Sequence, residues 1–191
     1  MFLKRQNPHL LLEAMTGVRM GDRLLHVGCA NGVRLGAVAA KVGLSGRAVA
    51  VVPDAEAAAR ARTGAENAGV LVDVQVAPTT KLPVDGGDFD VVVVDDTGGL
   101  FGAMRAEDRV ASVRELHRAL RSGGRVVVVG TAPRGGLRAA FTRAMSSPGG
   151  PAFVSSGEAV KSLQADGFPT ARLLAERDGL AFVEGIKVKP G

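Results

Sequence analysis

The chain has 191 residues, of which 46% are hydrophobic and 23% are charged, a composition typical of one soluble globular domain with a substantial core. Apolar runs such as Val91–Val94 and Val126–Val129 are far too short to span a membrane. The chain starts without an apolar segment long enough for a secretory signal, and its single cysteine, Cys29, excludes an intrachain disulfide. We therefore expect a cytoplasmic protein that does not associate with membranes.

The net charge of +5 and the pI near 10.0 raise the question of a nucleic-acid partner. Several arginines lie mostly off the apolar stripe of Val110, Val113 and Leu116, on what we interpret as a solvated helix face; these are Arg105, Arg109, Arg114, Arg118 and Arg121. The chain has no Trp, no Tyr and seven Phe, so it offers few rings on which bases could stack. We therefore expect no nucleic-acid partner.

The first half of the chain alternates between short apolar segments and segments with helical periodicity. Leu35, Val38 and Val42 recur at the spacing of one helix face. Pro53 followed by Asp54 is typical of a helix start. In chain order we predict a short amphipathic helix within residues 1–20, strand Arg23–Val27, a helix ending at Gly43, strand Ala48–Val52, a helix from Asp54 to about Ala68, and strand Leu71–Val76.

The second half continues this alternation and closes with two consecutive strands. The unbroken valines of the fourth strand predict burial on both faces of a parallel sheet. Ser155 with Glu158 fits a capping box, and Asp178-Gly179 fits a hairpin turn. In chain order we predict strand Phe89–Val94, helix Glu107–Leu120, strand Arg125–Val129, a flexible flap over residues 131–155 containing a short helix Leu137–Met145, a helix from Ser155 to about Ala165, and strands Ala171–Glu176 and Leu180–Lys187.

This order of elements predicts one α/β domain over residues 1–191. Its sheet is doubly wound and Rossmann-like, with seven mostly parallel strands, an antiparallel last strand and helices on both faces. The first strand runs into the turn Gly28-Cys29-Ala30-Asn31-Gly32, which opens a helix. Glycine lets the backbone approach a ligand, and a helix start offers unpaired N–H groups. The turn therefore predicts a cradle for a nucleotide-type cofactor.

Three segments, in this order, resemble the motifs of class I S-adenosylmethionine-dependent methyltransferases, especially the small quinone-biosynthesis C-methyltransferases. Leu25–Gly32 is similar to the first motif, Leu82–Asp90 to the Leu-Pro…Phe-Asp entry to strand four, and Leu116–Arg125 to the Leu-x-x-Gly-Gly passage into strand five. The resemblance covers almost the whole chain. It implies a methyltransferase that uses S-adenosylmethionine and acts on a small molecule.

The resemblance also implies which residues contact the cofactor: His26, Gly28, Cys29, Ala30, Asn31, Gly32, Val52, Pro53, Asp54, Thr79 and Asp95. The chain departs from the family pattern at several of these places. His26 replaces the usual acid of the first motif, and Ala30 replaces its middle glycine. Val52 replaces the acid that binds the ribose, and Pro78 replaces the acid that binds the adenine amino group. Each lost acceptor costs on the order of 1–3 kcal/mol.

Two kinds of residue could compensate for the missing acids. Asp54 reaches the ribose if strand two ends early, although a role in capping the next helix is the interpretation that we favour. Thr79 and Thr80 are placed to donate to or accept from the adenine edge.

Asp95 and Asp96 follow the fourth strand at the sheet edge where open α/β sheets bind ligands. They are the candidate catalytic residues, because they are placed to contact the substrate or the reacting centre. A proton-accepting base is only one such role, since methyl transfer from a sulfonium is an in-line displacement helped mainly by positioning and desolvation. Three scattered His and one Cys match no metal-ligand pattern, so we expect no metal.

Three alternatives remain open beside the leading hypothesis of a small-molecule methyltransferase. The main one is a catalytically degenerate methyltransferase fold that serves as a binding or scaffold module, which accounts for His26, Val52 and Pro78. A nicotinamide-dependent enzyme ranks lowest, because the turn does not fit G-x-G-x-x-G. An arginine-lined RNA methyltransferase is a minor variant. Residues 1–20 and 131–155 build only a small cap, which leaves an open site or one completed by a second subunit of a homo-oligomer.

Overall fold

The computed structural model of the protein describes residues 9–132 and 153–189. Its strands are β1 Arg23–Val27, β2 Arg47–Val52, β3 Asp73–Val76, β4 Phe89–Asp95, β5 Leu120–Thr131, β6 Arg172–Arg177 and β7 Leu180–Ile186. Its helices are α1 Leu10–Thr16, α2 Gly32–Ala40, α3 Ala55–Ala68, α4 Ala106–Ala119 and α5 Glu158–Ala165. The flap predicted over 131–155, with its helix Leu137–Met145, falls largely outside the described residues.

The strands form a single seven-stranded sheet in the order β3-β2-β1-β4-β5-β7-β6. Strands β1 to β5 are parallel to their neighbours, and β7 is antiparallel to both β5 and β6. The predicted fold class is thereby confirmed. Because β1 pairs with β2 on one side and with β4 on the other, the strand order reverses at β1. Open sheets of this kind bind ligands beside that reversal, at the carboxyl ends of the strands.

The valines of β4 explain why this strand shows no polar alternation. Val92 and Val94 belong to an apolar cluster that includes Leu116 of α4, on one face of the sheet. Val91 and Val93 belong to a second cluster on the other face, which also contains residues of α1 and α2. Burial on both faces, as predicted, leaves no solvent-facing position among the four valines of this strand.

A close approach between α2 and α3 holds the two helices beside the turn after β1. A Cβ on Gly64 of α3 would overlap the carbonyl of Gly32 at the start of α2. A Cβ on Gly32 would in turn overlap the carbonyl of Arg60. The absence of side chains at this crossing therefore sets how α3 lies against the first turn of α2.

The predicted start of α5 is wrong. The helix begins at Glu158, and its N-cap is Gly157 with φ 87°, which has no side chain to cap the helix. The hydroxyl of Ser156 instead donates to the carbonyl of Phe153, at 3.0 Å. Since Glu158 is the first helical residue rather than the third, it cannot complete a capping box with Ser155.

Other boundaries differ by a few residues. Strand β5 starts at Leu120, before the Gly-Gly pair, because Leu120 pairs with Phe89 ahead of a register shift in the β4–β5 ladder. Strand β3 starts at Asp73, since Leu71 is exposed. The predicted hairpin turn between β6 and β7 is confirmed: Asp178 and Gly179 have φ of 54° and 79°, the left-handed pair that a type I′ turn requires.

The predicted lead-in helix is present as α1, whose Leu12 is buried while Leu11 and Met15 pack partly buried against the same cluster. None of the helices among residues 9–132 and 153–189 combines the length and apolar character needed to cross a membrane.

The arginines predicted to lie on a solvated helix face mostly have partners, although Arg121 lies in β5 rather than in α4. Arg114 pairs with Asp166 at 3.1 Å, and Arg121 pairs with Asp90. Arg118 pairs with Glu115 of its own helix at 2.7 Å. These side chains are 40–71% exposed, so each pair is a surface ion pair of small energetic weight.

Candidate active site

The turn after β1 requires glycine at its first position. Gly28 has φ 78°, and a Cβ there would lie 2.6 Å from Cδ2 of Leu100 and 3.1 Å from the carbonyl oxygen of Asp95. Its N–H donates to the carbonyl of Val51 at 2.8 Å, which ties the turn to β2. The bare backbone at Gly28 therefore forms the floor of a narrow space at the sheet edge.

Asp95, the last residue of β4, holds this turn in place. Its Oδ2 accepts hydrogen bonds from the N–H groups of Ala30 (3.0 Å) and Asn31 (3.3 Å). Its Oδ1 accepts from the N–H and the hydroxyl of Thr97, at 3.2 and 2.6 Å. Although burial opposes ionisation, the Arg34 guanidinium 3.5 Å away holds the pKa of Asp95 below its usual range. Both oxygens of this ionised carboxylate are thus engaged.

His26 supports the turn from within the sheet. It is 3% exposed, and its Nδ1 lies 2.9 Å from the carbonyl oxygen of Gly28. Burial lowers the pKa of His26, so the imidazole is neutral at pH 7. Because a carbonyl can only accept, Nδ1 carries the proton and donates it to Gly28. His26 therefore braces the glycine turn, as a satisfied core histidine.

Two predicted site residues cap helices. Oδ1 of Asn31 accepts from the N–H groups of Val33 (2.9 Å) and Arg34 (3.3 Å) at the start of α2. Oδ1 of Asp54 accepts from the N–H of Ala57 at 2.8 Å, at the start of α3. The structure thus places Asp54 in the capping role favoured from the sequence, facing its own helix.

A cleft of about 130 Å³ opens beside the turn. Its lining comprises Gly28, Cys29, Ala30, Pro53, Ala57, Arg60, Asp95, Gly98 and Leu100. Typical small-molecule sites enclose about 300–1,000 Å³. Since Leu100 closes over Gly28, a nucleoside-sized ligand fits only if the Leu100 side chain shifts or the ligand extends through the open mouth.

Five of the predicted contact residues line this cleft, namely Gly28, Cys29, Ala30, Pro53 and Asp95. Four lining residues are missed by the sequence reasoning: Ala57, Arg60, Gly98 and Leu100. The spacing of Ala57 and Arg60 was a usable signal, because residues three apart share a helix face. Leu100 had none, since it follows an irregular loop.

Val52 and Thr79 lie outside the cleft. Val52 is fully buried in the apolar cluster between β2 and α3. Thr79 is 4% exposed, and its hydroxyl lies 2.8 Å from that of Ser112 on α4. The two side chains face the protein interior.

Asp96 is wholly buried, and only one of its oxygens has a partner among the described residues. Oδ1 accepts from the N–H groups of Phe101 (2.6 Å) and Gly102 (3.3 Å), while the buried Oδ2 makes no hydrogen bond. Burial raises the pKa of Asp96 to about 6. A carboxyl with this pKa exchanges its proton near neutral pH.

Cys29 is unsuited to nucleophilic chemistry. Burial and the nearby carboxylate of Asp95 raise the pKa of its thiol to about 11, so it stays protonated at neutral pH. Its carbonyl accepts a hydrogen bond from Nε of Arg60 at 3.0 Å.

The strand order, the antiparallel β7 and the glycine turn beside β4 together define the class I methyltransferase fold. The model of a family described as "Methyltransferase domain" matches residues 24–124, which is more than half of the chain. The chain therefore belongs to the methyltransferase domain family. The predicted family is confirmed, and S-adenosylmethionine is confirmed as the cofactor at the level of that family.

Several proteins show the extent of the similarity. An uncharacterized 37.1 kDa protein in transposon TN4556 of Streptomyces fradiae is 30% identical over 124 residues, which are 65% of this chain and 34% of that protein. The ubiquinone/menaquinone biosynthesis C-methyltransferase UbiE of a Geobacter species is 33% identical over 58 residues, 30% of this chain and 23% of that enzyme. The chain thus spans about a third or less of these relatives.

The fold is also that of a S-adenosylmethionine-dependent methyltransferase from Aquifex aeolicus, whose crystal structure superposes with a TM-score of 0.74. That match covers 95% of this chain and 90% of the Aquifex chain at 18% identity.

The residues of the cleft fit such a cofactor. The Gly28 turn leaves open the space that a Cβ would fill, and the Asp95 carbonyl borders it. Pro53, Ala57 and Leu100 add an apolar wall for a ring or thioether. Among the described residues, no carboxylate at the end of β2 lines the cleft, so other groups would have to hold the ribose of such a cofactor.

Proposed function

We propose that the protein is a methyltransferase that transfers the methyl group of S-adenosylmethionine to a small molecule. One observation carries the proposal: the Gly28 turn, clamped by Asp95, opens to a cleft where the strand order reverses. The bound cofactor would supply a methyl group on a sulfonium. The chain would supply position, since a displacement of this kind gains chiefly from holding its reactants in line.

Within this proposal the two aspartates have different roles. Asp95 is a positioning residue, because both of its oxygens hold the Gly28 turn and the Thr97 backbone. Asp96 is the candidate proton acceptor for the substrate's nucleophile, since its Oδ2 has no partner in the described structure and its pKa of about 6 leaves it largely ionised at pH 7. Because Asp96 is wholly buried and does not line the cleft, this role requires the loop after β4 to move and expose Oδ2.

The second candidate function is a binding or scaffold module that has lost catalysis. It is favoured by the small volume of the cleft and by a lining that, among the described residues, takes no carboxylate from the end of β2. In this alternative the cleft would bind an adenosyl ligand weakly, and no methyl transfer would follow.

Calorimetric titration with S-adenosylmethionine and S-adenosylhomocysteine tests the proposal, with NADH and NADPH as controls. We expect micromolar binding of the two sulfur compounds and none of the nicotinamides. The Gly28→Ala variant should lose this binding, because its Cβ would meet Leu100. Gly86→Ala is the matched control, since a Cβ there makes only ordinary contacts of 3.5 Å or more. Binding no tighter than millimolar would overturn the proposal.

Turnover separates the two candidate functions. Formation of S-adenosylhomocysteine with a panel of small phenols, quinones and amines supports catalysis. Micromolar binding without turnover across such a panel supports the scaffold module.

Four further predictions belong with this proposal. They are a single domain over residues 1–191, a cytoplasmic location, no nucleic-acid partner, and a small-molecule substrate reached through an open site or one completed by a second subunit. Gel filtration with light scattering tests whether a second subunit completes the site. An RNA-binding assay tests the absence of a nucleic-acid partner, and we expect RNA binding to be absent or insensitive to salt.

A further inference from the structure

Arg60 is the cation of the cofactor cleft. Among the cleft-lining residues only Arg60 and Asp95 carry full charges. Asp95 is 4% exposed and spends both oxygens on the neighbouring backbone and on Thr97. Arg60 has a side chain that is 39% exposed, so its charge faces the mouth of the cleft.

The position of Arg60 is built into the packing of α3. Its own carbonyl lies against Gly32, where the two helices touch without side chains. Its Nε donates to the carbonyl of Cys29 at 3.0 Å, which joins the guanidinium to the turn after β1. Nη1 pairs with the Glu56 carboxylate at 2.6 Å, and Nη2 makes no hydrogen bond to the described part of the chain. One N–H face of the guanidinium is thus left for a ligand.

Among the described residues, the end of β2 contributes no carboxylate to the cleft lining. Val52 is buried, Pro53 lines the cleft with an apolar ring, and Asp54 caps α3. In nucleotide-binding sheets a carboxylate near this place accepts from free ribose hydroxyls, whereas an arginine accommodates a phosphate on the ribose. Since both oxygens of Asp95 are engaged, the charged group of the cleft lining that remains for a ribose is a donor, Arg60.

We propose that Arg60 contacts the ribose of the adenosyl cofactor and donates hydrogen bonds to it, in place of the missing acid. This inference rests on the proposed function for its cofactor. It follows that the cleft tolerates negative charge on the ribose, and that adenosine carrying a 2′-phosphate binds more tightly than adenosine itself.

Glu56 limits the charge that Arg60 presents. Its carboxylate is 86% exposed and occupies Nη1, so it competes with an incoming anion for the guanidinium. Removing this carboxylate should strengthen the binding of the phosphorylated nucleoside.

The test is calorimetric titration of the full chain with S-adenosylhomocysteine, adenosine and adenosine 2′-monophosphate at low salt. We expect the phosphorylated nucleoside to bind about tenfold more tightly than adenosine, as one charge-assisted contact would give. In Arg60→Gln this preference should vanish and S-adenosylhomocysteine should bind about tenfold more weakly. Arg62→Gln, an exposed change on the same helix, is the control, and Glu56→Gln should increase the phosphate preference.

The outcomes separate this inference from the proposed function. Tight binding of S-adenosylhomocysteine that is unchanged in Arg60→Gln overturns the inference and leaves the proposed function standing. An Arg60-dependent preference for the 2′-phosphate without binding of S-adenosylhomocysteine supports the charged cleft and overturns the proposed function. Equal binding of adenosine and its 2′-phosphate overturns the inference, and no binding of any ligand overturns both.

Discussion

Oδ2 of Asp95 lies 3.0 Å from the backbone nitrogen of Ala30, a residue 65 positions earlier in the chain. This hydrogen bond joins the end of β4 to the turn that follows β1. It aligns the two strand ends between which a ligand would lie, and the ionised carboxylate makes the contact a charge-assisted one. The cleft is therefore held open by a contact between two residues that are far apart in the sequence.

Replacing Asp95 by Asn should loosen this turn. The amide keeps one acceptor oxygen, but it loses the charge that pairs with Arg34, and its NH₂ group faces donors. We expect the free energy of unfolding to fall by about 1–3 kcal/mol and S-adenosylhomocysteine to bind at least tenfold more weakly. Urea denaturation and calorimetry measure the two effects. Asp73→Asn, on the exposed start of β3, should change neither. A variant as stable as the parent with full affinity would show that the clamp is dispensable.

The stability of the protein should depend on His26 below pH 6.5. Burial lowers the pKa of His26, so the unfolded chain binds a proton that the folded chain resists. The free energy of unfolding should then fall with decreasing pH from about 6.5 downward, by at most about 1.4 kcal/mol per pH unit.

Urea denaturation between pH 8 and 5 measures this dependence. His26→Gln, which keeps a donor for Gly28, should show a flatter profile than the parent. His117→Gln serves for comparison, because burial lowers the pKa of His117 as well but that ring is only partly buried. Equal slopes in the parent and in His26→Gln would contradict the assignment of a neutral, buried His26.

Asp96 should have the opposite dependence on pH. Because burial raises its pKa to about 6, the folded protein keeps a proton that the unfolded chain loses near pH 4. The contribution of Asp96 to stability should decrease as pH rises from about 4 to 6. Asp96→Asn should therefore become more stable relative to the parent as the pH rises. The free energy of unfolding of the variant minus that of the parent should increase by about 2 kcal/mol between pH 4 and pH 8.

The same variant tests the role of Asp96 in the reaction. If Asp96 accepts the substrate's proton, Asp96→Asn should lower kcat at least about a hundredfold. Binding of S-adenosylhomocysteine should stay within about twofold of the parent, since Asp96 does not line the cleft. An unchanged kcat would remove Asp96 from the mechanism.

Leu100 should hinder entry of the cofactor. Its Cδ2 would lie 2.6 Å from a Cβ at Gly28, so the side chain covers the floor of a cleft of about 130 Å³. In Leu100→Ala the cleft widens, and S-adenosylhomocysteine should bind about threefold more tightly because less apolar packing is displaced. Leu44→Ala, a fully exposed position, is the control for calorimetry. Weaker binding in Leu100→Ala would mean that Leu100 packs onto the cofactor instead.

Local sequence patterns determined most of the secondary structure. Strand β1 spans Arg23–Val27 as predicted, because four mostly apolar residues end at a glycine that must adopt a positive φ. The unbroken valines of β4 predicted a strand buried on both faces, and the two clusters that share them confirm it. With the Gly-Gly passage into β5 and the closing hairpin, these local signals were enough to predict the sheet and the family.

Tertiary packing alone decided where the polar side chains point. Thr79 turns toward Ser112, so it does not reach the cleft as the resemblance suggested. Arg60 enters the cleft because Gly32 and Gly64 let two helices touch, a contact between residues distant in sequence. A side chain at a strand or helix end has several rotamers of similar energy, and the packing of non-local neighbours selects among them. Local sequence patterns therefore determined the fold, whereas contacts between residues distant in sequence determined which side chains line the cleft.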